Sequence, residues 1–103
     1  MVQVEKKPSL VHRSRIDIIA NILRVAENES RRTHIMYRCN LSFKQLHTYL
    51  DFLTERKLIK RTKVIGDENP SGKYLTTNKG KAFIQAYSSI RALLSTTELE
   101  ADE

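Results

Sequence analysis

Ser42, Lys44, Gln45, His47 and Thr48 crowd hydroxyl, ammonium, amide and imidazole groups into the start of NLSFKQLHTYLDFLTERKLI, the run from Asn40 to Ile59. At about 100° per residue, Phe43, Leu46, Leu50 and Leu53 fall on one side of a helix and predict a buried face. Lys44, Thr48, Asp51 and Glu55 fall opposite, with Gln45 and His47 at the two edges. Lys can donate to guanine O6 and N7 or to a phosphate, Gln can pair in both directions with adenine, and Ser or Thr can bond to bases or backbone. Asp51 and Glu55 repel phosphate, so only the N-terminal half of this helix suits such contacts.

The remaining positive charge is placed as a collar around that helix. Arg31 and Arg32 precede a short helix whose free N–H groups can meet a phosphate, and Arg38 follows on it. Lys60, Arg61 and Lys63 lie on a first strand and Lys73 opens a return strand. A hairpin so charged can cross a sugar-phosphate backbone or enter a minor groove. The whole chain agrees: all 18 Lys and Arg precede Thr97 but only eight of the 12 Asp and Glu do, a surplus of ten positive charges, while the terminal ELEADE carries four negative ones. A basic body with an acidic tail points to a polyanionic partner.

Other chemistries find little support. His12, His34, His47 and Cys39 lack the paired spacings of a zinc site, and Cys39 reads as a small buried residue. No Ser, His and acid fall into a triad pattern, and Gly66 and Gly72 lack the Gly-rich spacing and Lys-Ser or Lys-Thr pair of a phosphate loop. Asp67 and Glu68 sit in a turn-rich loop. The expectation is a protein that is not an enzyme and needs no cofactor or metal.

The elements that hold these groups follow from periodicity and caps. With 103 residues the chain suits one domain of modest core, for which dimerisation is a useful support. The lone Cys39 excludes an intrachain disulfide and suits a reducing compartment. With no run of eighteen apolar residues and no signal-peptide core, the expectation is a soluble intracellular protein that avoids membranes.

Residues 1–12 read as a mobile arm. Ser14 caps a first helix to about Ala26, with Asp17 complementing its dipole. That helix carries two apolar stripes, Ile16, Ile19, Leu23 and Ala26 beside Ile18, Ile22 and Val25, so one core leaves a stripe for something else to cover. Thr33 is a candidate cap for HIMYRC, with Ile35 and Cys39 on one face, and Asn40 and Leu41 form the turn. Ser42 and Gln45 complete a capping-box pattern for the third helix, which ends near Lys57. LIKRTKVI, GDENPSG and KYLTT then describe a hairpin with a long loop. From Thr77 a last helix runs to about Thr97, with Phe83, Tyr87, Ile90, Leu94 and Thr97 in 4-3-4-3 spacing and Ala86 and Leu93 widening the stripe. At ~1.5 Å per residue it spans ~30 Å, a surplus of apolar helix that invites a second copy.

The order of elements is mainly α with a small β-hairpin: a winged helix-turn-helix at 13–77, a long C-terminal dimerisation helix at 78–97 and an acidic tail at 98–103. From Arg13 to Leu94 the chain resembles the archaeal winged helix-turn-helix regulators, including small basic chromatin-type dimers. THIMYRCNLS between the two motif helices, YLDFLTERKLI leading into the wing and YLTTNKGKAF opening the last helix carry the likeness. The resemblance implies double-stranded DNA binding through the Ser42 helix and the Lys60–Lys73 wing. It also implies a homodimer made by antiparallel pairing of the C-terminal helices, with Phe83, Tyr87, Ile90 and Leu94 in the seam and the long helix of either subunit covering Ile18, Ile22 and Val25. A short last helix and an acidic end depart from the chromatin-type members and favour a local transcription regulator over a nonspecific DNA coat. A protein-interaction module and an RNA binder using Tyr37 and Tyr74 are the rival readings; operator, effector and direction of regulation have no signature in the sequence.

Overall fold

The computed structural model describes residues 13–63, 66 and 72–94. Four helices and one antiparallel hairpin follow in the order α1 Arg15–Val25, α2 Arg32–Cys39, α3 Phe43–Glu55, β1 Ile59–Thr62, β2 Lys73–Thr76 and α4 Asn78–Leu93. The expected arm and acidic tail, Thr97 of the last helix and most of the loop between the strands lie outside the described residues.

Local hydrogen bonding sets the helix starts. Ser14 and Asp17 form a reciprocal capping box on α1, and Ser42 and Gln45 form a second on α3. Thr77 caps α4 by accepting from the Gly80 N–H at 3.1 Å, and its hydroxyl also reaches the Lys57 carbonyl at 2.7 Å. The start of α2 differs from expectation: Arg31, not Thr33, is its N-cap, and no side chain closes that end. Asn40 ends α2 in the left-handed region at φ 55°, a conformation that Asn tolerates well.

The core joins α1, α2, α3 and the hairpin. Leu46, Leu50 and Leu53 of α3 are buried with Ile22 and Leu23 of α1, Ile35 of α2 and Ile59 of β1. Phe43 does not share their burial: it is 60% exposed, because at the first position of α3 it projects past the core's edge. In α1 the two apolar stripes resolve differently from expectation as well. Ile22 is fully buried within the single chain and needs no partner, Ile18 and Val25 pack partly against the core, and Ile16 is left 53% exposed.

β1 and β2 pair from Ile59 with Thr76 to Thr62 with Lys73. Ser30 adds a single bridge to β2, exchanging backbone bonds of 3.0 and 2.7 Å with Tyr74. Thr76, buried, donates its hydroxyl to the Leu23 carbonyl at 2.6 Å and its N–H to Ala26 at 2.9 Å. These bonds anchor the hairpin on the end of α1. Gly72, at φ +68°, closes the base of the wing where a Cβ would collide with the Thr62 carbonyl.

The last helix docks on α1. Gly80 passes so near the Leu58 carbonyl and the Thr76 methyl that no Cβ fits, and Ile84 is buried. Further along, the Tyr87 hydroxyl donates to Asp17, Arg91 approaches the same carboxylate at 3.5 Å and Arg24 donates to Ser88 at 2.9 Å. The Tyr87 hydroxyl, with the Ser14 N–H, holds the Asp17 carboxyl below its usual range, and the same bond pushes the Tyr87 phenol up.

Candidate nucleic-acid interface

The outward side of α3 begins with its cap. The Ser42 N–H donates to Gln45 Oε1 at 2.9 Å and the Gln45 N–H donates to Ser42 Oγ at 3.1 Å. Both residues are exposed, yet one function of each side chain is already spent on the helix end. Two-way pairing of Gln45 with adenine therefore competes with its cap bond. Lys44 is exposed, and Thr48 beside it donates its hydroxyl to the Lys44 carbonyl at 3.1 Å, which leaves its oxygen outward as an acceptor. One turn on, His47 lies 3.4 Å from Asp51, both exposed. The acidic half of the helix thus has a basic neighbour of its own, while the capped end keeps Lys44 as its cation.

Arg32 ties this end of α3 to the hairpin. It is half-buried, its guanidinium lies 5.8 Å from the Phe43 ring centre, and its Nη2 donates to the Tyr74 hydroxyl at 3.3 Å. Tyr74 pairs with Arg61 across the strands. The first turn of α3, the first turn of α2 and the middle of the wing are therefore neighbours. Of the collar residues, Arg38, Lys60, Arg61 and Lys63 are exposed, Lys73 and Arg31 are half-buried, and Arg32 serves the scaffold as much as the surface. Arg13 grips the turn from behind, donating to the Cys39 carbonyl at 2.7 Å and the Asn40 carbonyl at 3.3 Å.

Two aromatic residues near this surface, Phe43 and Tyr74, differ from the sequence reading. Phe43, assigned to the core by its spacing, stands outside beside Arg32, where an apolar edge can meet a thymine methyl. Its position as the first residue of α3, directly after Ser42, was the available signal, since side chains in a first turn often overhang the core. Tyr37 is 80% exposed on α2, whereas Tyr74 is buried, so the two form no shared stacking platform.

Burial pushes the Cys39 thiol up, as suits a packing residue rather than a nucleophile. Among the described residues no group of three or more His, Cys, Asp or Glu gathers as metal ligands, and no helix is long and apolar enough to cross a membrane.

The residues expected in a dimer seam divide. Phe83 and Tyr87 are half-buried against their own chain, Tyr87 through Asp17. Ile90 and Leu94 are 55% and 62% exposed, with Leu93 at 72%, and nothing among the described residues covers them.

The winged helix-turn-helix family matches residues 12–95. Two uncharacterized proteins of Methanocaldococcus jannaschii are similar in sequence: one is 31% identical over 85 residues, covering 82% of this chain but 36% of that protein. The other is 33% identical over 72 residues, covering 69% of this chain and 74% of that protein. Among solved structures, Sso10a-2, a DNA-binding protein from Sulfolobus solfataricus, superposes with a TM-score of 0.67 at 23% identity, over 87% of this chain and 94% of that one. A mutant of Staphylococcus aureus MepR bound to an oligodeoxyribonucleotide superposes at 0.63 with 17% identity, over 93% of this chain and 76% of that one. At those identities the two structures attest the fold.

Proposed function

The chain belongs to the winged helix-turn-helix family, and from that premise we propose that it binds double-stranded DNA as a homodimer and regulates transcription. One observation supports this above the others. Arg32 joins the first residue of α3 to the middle of the wing, so exposed Lys44 and Thr48 and the cations of β1 belong to one continuous surface. Such a surface presents a helix end to the major groove and a basic hairpin to the flanking backbone. Phosphate contacts then come from Lys60, Arg61, Lys63 and Lys73, with Arg38 and the uncapped start of α2 beside them. Base reading falls to Lys44, Thr48 and His47, with Ser42 and Gln45 holding the helix end in place.

The dimer reading rests on the uncovered apolar end of α4, where Ile90, Leu93 and Leu94 leave a stripe that water disfavours. In this reading residues 13–77 read DNA, 78–97 pair two copies, 1–12 form an arm and 98–103 an acidic tail. No catalytic step or cofactor enters it. The name of Sso10a-2 and the oligonucleotide held by MepR point the same way for this chain.

Selection of bound duplexes from a random pool tests the function. A common set of bases that Lys44→Ala relaxes is the expected result. Absence of duplex binding even at low salt would overturn the reading and favour a protein-interaction module, and a preference for single strands would favour RNA.

A further inference from the structure

An open groove of about 790 Å³ runs between α1, the flank of α3 and α4. Its apolar floor includes Ile16, Phe52 and Phe83, of which Ile16 and Phe52 are 53% and 39% exposed. Its rim carries Arg15, Lys44 and Arg56, and among the described residues no acidic side chain lines it, although Glu55 approaches Arg56 at 3.8 Å from outside the groove. The Arg56 guanidinium carbon lies 3.7 Å from the Phe52 ring centre, extending the floor toward a positive edge. Wide apolar floor and one-signed rim together call for an occupant that is apolar on one side and acidic on the other.

The sequence contains such a segment. ELEADE, residues 98–103, holds four carboxylates around Leu99 and Ala101 and is the one stretch of the chain with a concentrated negative charge. We propose that the groove takes the acidic C-terminal segment of a second copy, Leu99 on the apolar floor and the flanking carboxylates against Arg15, Lys44 and Arg56. This rests on the antiparallel dimer reading. If Ile90 faces its own equivalent across the seam, each chain beyond Leu94 runs back along its partner's α4 toward Phe83, the residue of α4 that lines the groove. The nine residues from Leu94 to Glu103 reach at most ~30 Å when extended, ample for a helix that rises only ~1.5 Å per residue.

The arrangement has a functional consequence. Lys44 and Thr48 wall the groove and also belong to the proposed reading face. Carboxylates held there compete with DNA phosphate for Lys44, so the tail lowers duplex affinity and a duplex displaces the tail.

Zero-length carbodiimide coupling on an equal mixture of ¹⁴N- and ¹⁵N-labelled full chain tests the proposal, with mass spectrometry of the linked peptides and sedimentation of the same sample. The expected product joins a carboxylate of Glu98–Glu103 to Lys44 in mixed-isotope pairs, and saturating duplex abolishes it. Ile16→Asp, which sets a like charge in the floor, should lose most of that link while sedimentation still reports a dimer. Links found only between peptides of one label would overturn the second-copy occupant. A dimer without the Lys44 link, or with links confined to other lysines, would overturn the proposal and leave the dimer reading standing. A monomer at all concentrations would remove the dimer reading and this one with it.

Discussion

Removing Lys60 and Lys63 together probes the wing's contact with phosphate. Both are exposed, on and just after β1, so Lys60→Ala with Lys63→Ala leaves the buried hairpin contacts of Ile59 and Thr76 intact. Five collar and reading-face cations stand exposed in each chain, Arg38, Lys44, Lys60, Arg61 and Lys63. If a dimer places these ten on phosphates, log K falls with log salt at a slope of about −9, and fewer contacts scale it down. The double substitution removes two cations per chain and four per dimer, so the slope becomes shallower by about 3.6 if all four lie on phosphates. Between 50 and 200 mM salt the wild type would then weaken by up to ~10⁵-fold and the variant by up to ~10³-fold. Fluorescence anisotropy of a labelled duplex titrated at several salt concentrations reads both slopes. An unchanged slope, with circular dichroism showing the fold intact, would refute the placement of the wing on the DNA backbone.

Other expectations follow from individual contacts. Gly80→Ala should destabilise by about 1–3 kcal/mol by urea denaturation, because its Cβ meets the Leu58 carbonyl and the Thr76 methyl, an overpacking that exceeds the gain in helix propensity. Ile90→Lys should convert a dimer to a monomer by sedimentation, since symmetry would bury two ammonium groups in one seam. Asp17 titrates below its ordinary range in the folded chain, so its contribution is present above that range and is lost as pH falls through the folded value. Tyr87 is raised, so its contribution is full below its ordinary value and is lost as pH rises through the folded one. Urea midpoints of Tyr87→Phe should accordingly show a smaller acid-side slope and no alkaline step from this phenol. Phe43→Ala should leave the urea midpoint nearly unchanged because the ring is largely outside the core, yet weaken duplex binding measured by anisotropy.

Much of the scaffold was legible before any coordinates. The Ser42–Gln45 box, the Ser14 cap, the turn at Asn40, the start of the last helix at Thr77 and the hairpin at Ile59 depend on groups within a few residues of each other. Their geometry is fixed by chain spacing, so residue order alone specifies them. Periodicity likewise set the phase of α3, where Leu46, Leu50 and Leu53 lie where it put them, but not of α4, whose buried Ile84 falls outside the expected stripe.

What spacing could not give was the width and edge of each buried face, because that depends on which elements arrive from elsewhere in the chain. Thr76 reaching Leu23 and α4 docking through Gly80 decide that Ile22 is covered within one chain and Ile16 is not. The end of α3 overhanging the core decides that Phe43 stands outside, and Tyr74, brought across by the hairpin, turns Arg32 inward as a strut. Local hydrogen bonds were written in the order of residues; the assignment of each side chain to core, strut or contact surface came only from distant segments meeting in space.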